Sequence, residues 1–306
     1  MRVQCAVNYA CIKYWKIFIK YMSETNLVFY GVRGSYPVVP NKNVSKYGGN
    51  TASILIEKDD KIIILDAGTG IFNVGNYLKE TKPHIKKADL FLTHLHTDHI
   101  QGIPSFEPVF DEKFELNIYC DNGENISFED TVYSLFNKPL SPIGNQGIKA
   151  KINFIPLNPK EPETVQIDEG LSVDYMKENS HPHAGVLIYR INIENKRIVY
   201  ATDVESPDGF EKKYLEFIKG ADILIHDSQY FDADYNSNEN SKKGFGHSTV
   251  SMAVANAIKC EVKKLFLFHY SHGYSDKDIK KMLKEARKKF KNTYLSEELK
   301  IIRLRR

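Results

Sequence analysis

The run His94-Leu95-His96-Thr97-Asp98-His99 gathers three imidazoles and a carboxylate directly after the apolar stretch 88–93. Side chains two apart in extended backbone point to the same side, so His94 and His96 can approach one cation together. Asp98 and His99 lie past the next turn, towards a helix start, and can face a second cation. Neutral imidazole with carboxylate suits zinc, and also manganese or iron. The bland alternative is a surface loop that happens to be rich in histidine. Asp66 follows the apolar run 61–65 and precedes Gly68 and Gly70, a tight-turn signature. It is expected either to hydrogen-bond that turn or to fix the tautomer of a ligand histidine.

Positioning such a cluster requires strands whose ends meet. Ile/Val/Leu/Phe/Tyr-rich runs of strand length fall at 26–32, 51–57, 61–65, 88–93, 116–119, 171–176, 186–193, 197–201, 221–225 and 264–268. Helical patterns fall at 71–79, 127–136, 209–218, 249–258 and 275–291; in the last, Ile279, Met282, Leu283, Ala286 and Phe290 form one stripe behind a Ser275/Asp278 capping pair. The longest irregular stretch, 137–147, carries Pro139, Pro142, Gly144 and Gly147. Early strands without intervening helices, followed by strand and helix alternation, predict two mostly β layers covered by helices, an α/β sandwich, rather than a doubly wound parallel sheet.

The chain has 306 residues, 42% hydrophobic and 26% charged, enough for a sizeable core. Cys5, Cys11, Cys120 and Cys260 form no CxxC and no even framework, which reads as reduced thiols and a cytoplasmic protein. Residues 1–21 are apolar in part but interrupted by Lys13, Lys16 and Lys20. They are too broken to span a bilayer and lack a signal-peptide pattern, although an interfacial amphipathic helix stays open. They are read as a poorly ordered extension, with a hydrolase domain over 22–306. Net charge is +3, of which 277–306 hold +8 and 1–21 hold +4, leaving −9 on 22–276. That balance argues against a long nucleic-acid groove, while a small anionic substrate stays admissible beside bound cations.

The cluster resembles the HxHxDH signature of the metallo-β-lactamase superfamily, whose αββα four-layer fold agrees with the predicted layers. The resemblance runs from about Leu27 to Asp276. It is carried also by Gly31-Val32-Arg33-Gly34-Ser35-Tyr36-Pro37, Tyr47-Gly48-Gly49-Asn50-Thr51, Leu65-Asp66-Ala67-Gly68-Thr69-Gly70, His181-Pro182, Tyr200-Ala201-Thr202-Asp203, His226-Asp227, Gly246-His247-Ser248-Thr249 and Leu267-Phe268-His269-Tyr270. It implies that His94, His96 and His181 ligate one metal, Asp98, His99 and His269 the other, and that Asp203 bridges. Asp203 and His269 independently close apolar runs, as His94 does. Pro182 lies between His181 and His183, and either could be the ligand aimed inward.

Two cations about 4 Å apart can share a bridging hydroxide and neutralise charge on an attacked phosphate or carbonyl. The chain has no Gly-x-Ser-x-Gly elbow and no P-loop. Gly246-His247-Ser248-Thr249, preceded by Asp227, resembles the phosphodiesterase branch that contains ribonuclease Z and small cyclic-phosphate esterases. The resemblance implies that His247 serves the phosphoryl group and Asp227 orients it, with Asp98 counted among the catalytic groups as well as the ligands. The chain lacks the long Gly/Pro-rich, Lys-bearing insertion of the tRNA-gripping arm. A small or cyclic phosphodiester is therefore the expected substrate, with 136–143 a lid or a plain surface loop. The competing readings are a lactone or carboxylic ester hydrolase, a tRNA 3′-processing endonuclease, and a non-catalytic metal-binding protein that meets an acidic partner through its basic C-terminal helix.

Overall fold

The computed structural model describes residues 25–44, 46–122, 127–158, 160, 163–182 and 185–304. The proposed extension 1–21 and the alternative ligand His183 lie outside the described residues.

Among the described residues the strands, in chain order, are β1 (Thr25–Gly31), β2 (Arg33–Gly34), β3 (Ser53–Lys58), β4 (Lys61–Leu65), β5 (Lys87–Phe91), β6 (Glu115–Asp121), β7 (Lys151–Leu157), β8 (Glu163–Asp168), β9 (Leu171–Glu178), β10 (Val186–Ile193), β11 (Lys196–Ala201), β12 (Ile223–Asp227), β13 (Leu265–Phe268), β14 (Tyr270–Ser271), β15 (Thr293–Leu295) and β16 (Ile301–Leu304). Two sheets of seven strands each run β16-β1-β3-β4-β5-β6-β7 and β15-β13-β12-β11-β10-β9-β8, while β14 pairs with β2.

Period-two alternation sorts the apolar side chains between layers. Leu27, Phe29, Ile54, Ile56, Ile63 and Leu65 face the second sheet and join Tyr175, Tyr189, Ile191 and Tyr200 in one core. Their neighbours Val28, Tyr30, Leu55, Ile62 and Ile64 face outward, against α1 (Ile71–Thr81) and the segments that follow it. The remaining helices in chain order are α2 (Thr97–Ile100), α3 (Phe128–Ser134), α4 (Lys212–Ile218), α5 (Asp232–Tyr235), α6 (Val250–Lys259) and α7 (Asp276–Ala286). Val250, Ala253, Ile279 and Met282 of α6 and α7 pack on the second sheet, which completes the αββα order.

α7 starts where expected, because the Ser275 side chain accepts from the Asp278 N–H while the Asp278 carboxylate takes the Ser275 N–H. It ends at Ala286, short of the predicted 291, and the chain turns back through Phe290 into β15. β12 runs two residues beyond the predicted 225 and takes in His226 and Asp227. The segment 137–147 is pinned by buried Phe136 and by Ile143, both packed with the outer core of the first sheet.

Candidate metal centre

The geometry of the centre follows from strand direction. β4, β5 and β6 run parallel, as do β11, β12 and β13, so their C-terminal ends line up within each sheet. Asp66 and His94 follow β4 and β5, Asp203 and His269 follow β11 and β13, and Asp227 closes β12. His96 caps α2, which carries Asp98 and His99. His181 follows β9.

The backbone pays little heed to ordinary preference here. Ser35, Asp66, Asp203 and His269 all take positive φ, at 64, 59, 54 and 63°. Such values in non-glycine residues cost about 1 kcal/mol or more each and persist where the surroundings over-determine them. Glycines allow the close approach of loops: a Cβ on Gly34 would stand 2.4 Å from His269 Nδ1, and one on Gly246 would stand 2.1 Å from His181 Nδ1.

Two triads result, each with its ligand atoms within 4.8 Å of one another: His94 with His96 and His181, and Asp98 with His99 and His269. Asp203 stands between them. Its Oδ1 is 3.2 Å from His99 Nε2 and 3.3 Å from His269 Nε2. Its Oδ2 is 3.8 Å from His94 Nε2 and 4.0 Å from His181 Nε2. His96 Nδ1 and His181 Nε2 are 3.0 Å apart, closer than two unligated imidazoles have reason to be unless they share a proton or a cation. His94 Nε2 is buried without any hydrogen-bond partner, a costly arrangement unless a cation fills it.

The reverse sides of these imidazoles are fixed. His99 Nδ1 donates to Asp66 Oδ2 at 2.8 Å, and His269 Nδ1 donates to Gln229 Oε1 at 2.8 Å. His181 Nδ1 donates to the Gly246 carbonyl at 3.1 Å, and His94 Nδ1 meets Thr93 Oγ1 at 3.0 Å. Such partners leave Nε2 of each ring aimed inward. Asp66 therefore does more than brace its turn: it also accepts from the Thr93 N–H and the Tyr200 hydroxyl, both at 2.8 Å. The Ser35 N–H donates to Asp98 Oδ2 at 2.7 Å.

Charge follows the same pattern. Burial, then neighbouring His99, pushes His94 well below the usual histidine range, and burial lowers His96 and His181, so all three favour the neutral, ligating form. Burial works against a charged His99, yet Asp203, Asp98 and Asp66 overcome it and push His99 well above its ordinary value. A field that holds a proton on a fully buried imidazole is one that favours a cation. Burial opposes ionisation of Asp98 too, but His99 and His269 hold it below the carboxylate range, and the same histidines hold Asp203 down.

Beside the triads, His247 Nδ1 donates to Asp227 Oδ2 at 2.8 Å. Asp227 is fully buried, and its Oδ1 accepts from the Gln229 and Ser248 N–H groups at 2.9 and 3.1 Å. Asp203, Asp227, His247 and His269 also cluster closely enough to hold a cation. With Asp227 taken up by N–H donors, that group is better described as a hydrogen-bond network. Asp227 and Asp203 outweigh the cost of burial and raise His247 above its ordinary value.

The structure thus brings together His94, His96, Asp98, His99, His181, Asp203, Asp227, His247 and His269. Sequence reasoning missed Gln229, Ser35 and Glu205. The Glu205 carboxylate accepts from the Tyr235 hydroxyl at 2.5 Å and from the Gly244 and Gly246 N–H groups at 2.7 and 2.8 Å, tying down the loop that carries His247. The signals in sequence were positional only: Ser35 falls in the run 31–37 that carries the resemblance, and Gln229 lies two residues past Asp227.

Comparison with known proteins agrees with this geometry. Residues 61–270 match the family model described as beta-lactamase superfamily domain. The chain is 26% identical, over 90% of its length and 95% of the relative's, to Ribonuclease Z of Thermoplasma acidophilum. Among solved structures it resembles the metallo-beta-lactamase fold protein YhfI from Bacillus subtilis at 18% identity, with a TM-score of 0.66, covering 92% of this chain and 100% of that one. It also resembles a diphosphatase from the PhnP family at 18% identity and a TM-score of 0.64, covering 92% and 98%. Among the described residues no helix is long and apolar enough to cross a membrane.

Proposed function

This chain belongs to the beta-lactamase superfamily domain family, and we propose that it is a phosphodiesterase holding two divalent cations and acting on small or cyclic phosphodiesters. The observation that carries the reading is the Asp203 carboxylate, with one oxygen turned to each triad and the unpartnered Nε2 of His94 beside it. The donor set fits the cations: His94, His96 and His181 would hold one, Asp98, His99 and His269 the other, and Asp203 both. Imidazole with carboxylate favours Zn2+ first, then Mn2+ or Fe2+. Divalent cations in such a site supply Lewis acidity and make a bound water acidic enough to be a nucleophile near neutral pH.

The chain's own residues do the rest. Asp227 takes the proton side of His247 Nδ1, which leaves Nε2 to donate to a phosphoryl oxygen. Asp227, first among the groups that raise the proton affinity of His247 against its burial, favours the protonated donor, suited to oxygens on which negative charge grows. Asp98, ionised and anchored by the Ser35 N–H, adds to the negative field that draws the cations in. His96 is the exposed member of its triad and marks the side from which substrate enters.

The name of the Thermoplasma relative supports phosphodiester chemistry and favours a second reading, cleavage of RNA. The −9 charge on 22–276 favours the small substrate. The test compares an aryl phosphodiester, cyclic nucleotides, a precursor tRNA and an acyl-homoserine lactone on one metal-loaded preparation. Faster turnover of the diesters than of the lactone is expected. The reverse order moves the assignment to ester hydrolysis, and efficient tRNA cleavage overturns the small-substrate part alone.

A further inference from the structure

Two aromatic rings stand open on the two loops that border the centre. Tyr36 is 65% exposed and Phe245 51%. Exposed apolar side chains scattered singly over a surface are ordinary. The position of these two is not. Tyr36 adjoins Ser35, whose N–H binds Asp98, and its ring meets His272, three residues beyond His269, edge-on at 5.4 Å. Phe245 adjoins Gly246, whose carbonyl receives His181 Nδ1. Tyr36 is therefore one peptide link from the group that binds Asp98, and Phe245 one link from the group that binds His181.

Both rings stand on fixed backbone. The Tyr36 N–H donates to the Gly34 carbonyl at 2.8 Å, and Glu205 holds the amides on either side of Phe245. Lys242 lies 5.7 Å from the centre of the Phe245 ring and places a cation next to it. Two exposed rings on anchored backbone next to the groups that bind Asp98 and His181 match a ligand with a planar ring at one end and a phosphate at the other.

We propose that Tyr36 and Phe245 form an aromatic clasp for the base of a nucleotide-type phosphodiester, so that diesters bearing a planar ring are the substrate class and alkyl diesters are not. The inference rests on the phosphodiesterase reading. A clasp made of ring faces, with no hydrogen-bond readout, grips every base, so purine and pyrimidine substrates should differ by only a few-fold, in the order of their stacking strength.

The test is calorimetric binding to the metal-loaded protein of adenosine 5′-monophosphate against ribose 5-phosphate, which share the phosphate and differ by the base. Stacking predicts an affinity ratio of about 10 or more for the wild type. The ratio should fall towards one in Tyr36→Ala/Phe245→Ala and persist in Tyr36→Phe/Phe245→Tyr. A wild-type ratio near one, or a double alanine variant that keeps the preference, overturns the clasp. An intact, clasp-dependent ratio in a protein that turns over no phosphodiester overturns the reaction assigned above and upholds the clasp as a nucleotide-binding feature.

Discussion

Asp227 Oδ2 accepts the backbone N–H of Asp203 at 3.0 Å, with the same oxygen that receives His247 Nδ1. A single buried carboxylate thus sets both the loop that carries the central acid and the imidazole beside it. Removing the imidazole and removing the carboxylate should therefore have different consequences. His247→Ala should lower kcat by about 10²- to 10⁴-fold while both metals stay bound. Asp227→Ala should lower kcat and metal content together. Elemental analysis alongside turnover separates the two, and loss of metal in His247→Ala would place His247 among the ligands.

Asp203 should be the residue on which the second cation depends most. Asp203→Ala removes the oxygens that face both triads, and the expected result is loss of metal together with loss of activity. A wild-type protein that holds at most one metal per chain after careful loading would end the two-metal reading.

Glu205 reaches no ligand directly, yet it ties the 244–246 backbone to Tyr235. Glu205→Ala should speed hydrogen exchange at the Gly244 and Gly246 amides and reduce kcat more than it raises KM, because loop position governs His247 and, through the Gly246 carbonyl, His181. Unchanged exchange at those two amides would remove Glu205 from this role.

Stability should fall as pH rises between roughly 4.5 and 7 at one identifiable position. Burial raises Glu298 from 4.5 to about 7, against the N–H groups of Asn50 and the nearby Arg33 charge that favour its ionised form. In that window the folded state binds a proton that the unfolded state has released, so the folded state loses ground as pH rises through it. Glu298→Gln should gain melting temperature relative to the wild type from pH 4.5 to pH 7.5. Parallel melting curves across that range would contradict it.

The sequence made visible what is local or periodic. His94, His96, Asp98 and His99 sit together in the chain, and Asp203 and His269 are placed by the apolar runs that precede them. The αββα order followed from strands such as β4, whose Ile62 to Leu65 feed two cores by alternation. β8 was not legible because it is an edge strand with a polar pattern and no buried residue, and β16 because its alternate residues remain exposed. The partners of Gln229 and Ser35 lay beyond reach for another reason. Gln229 acts on His269 forty residues away and Ser35 on Asp98 sixty-three residues away, and nothing in either local sequence encodes the meeting.

The left-handed backbone at Asp66, Asp203 and His269 bears on how this chain can change over generations. Glycine at any of the three would relieve the strained dihedral, but at 66 it would also leave the Thr93 N–H, the Tyr200 hydroxyl and His99 Nδ1 without their buried acceptor. A population screened only for heat resistance, without cations and without a demand for turnover, should therefore hold Asp66 and drift sooner at Asp203 and His269, which face each other at 3.3 Å in a site built for cations. Retention of Asp203 and His269 in a lineage would therefore record selection for chemistry rather than for endurance.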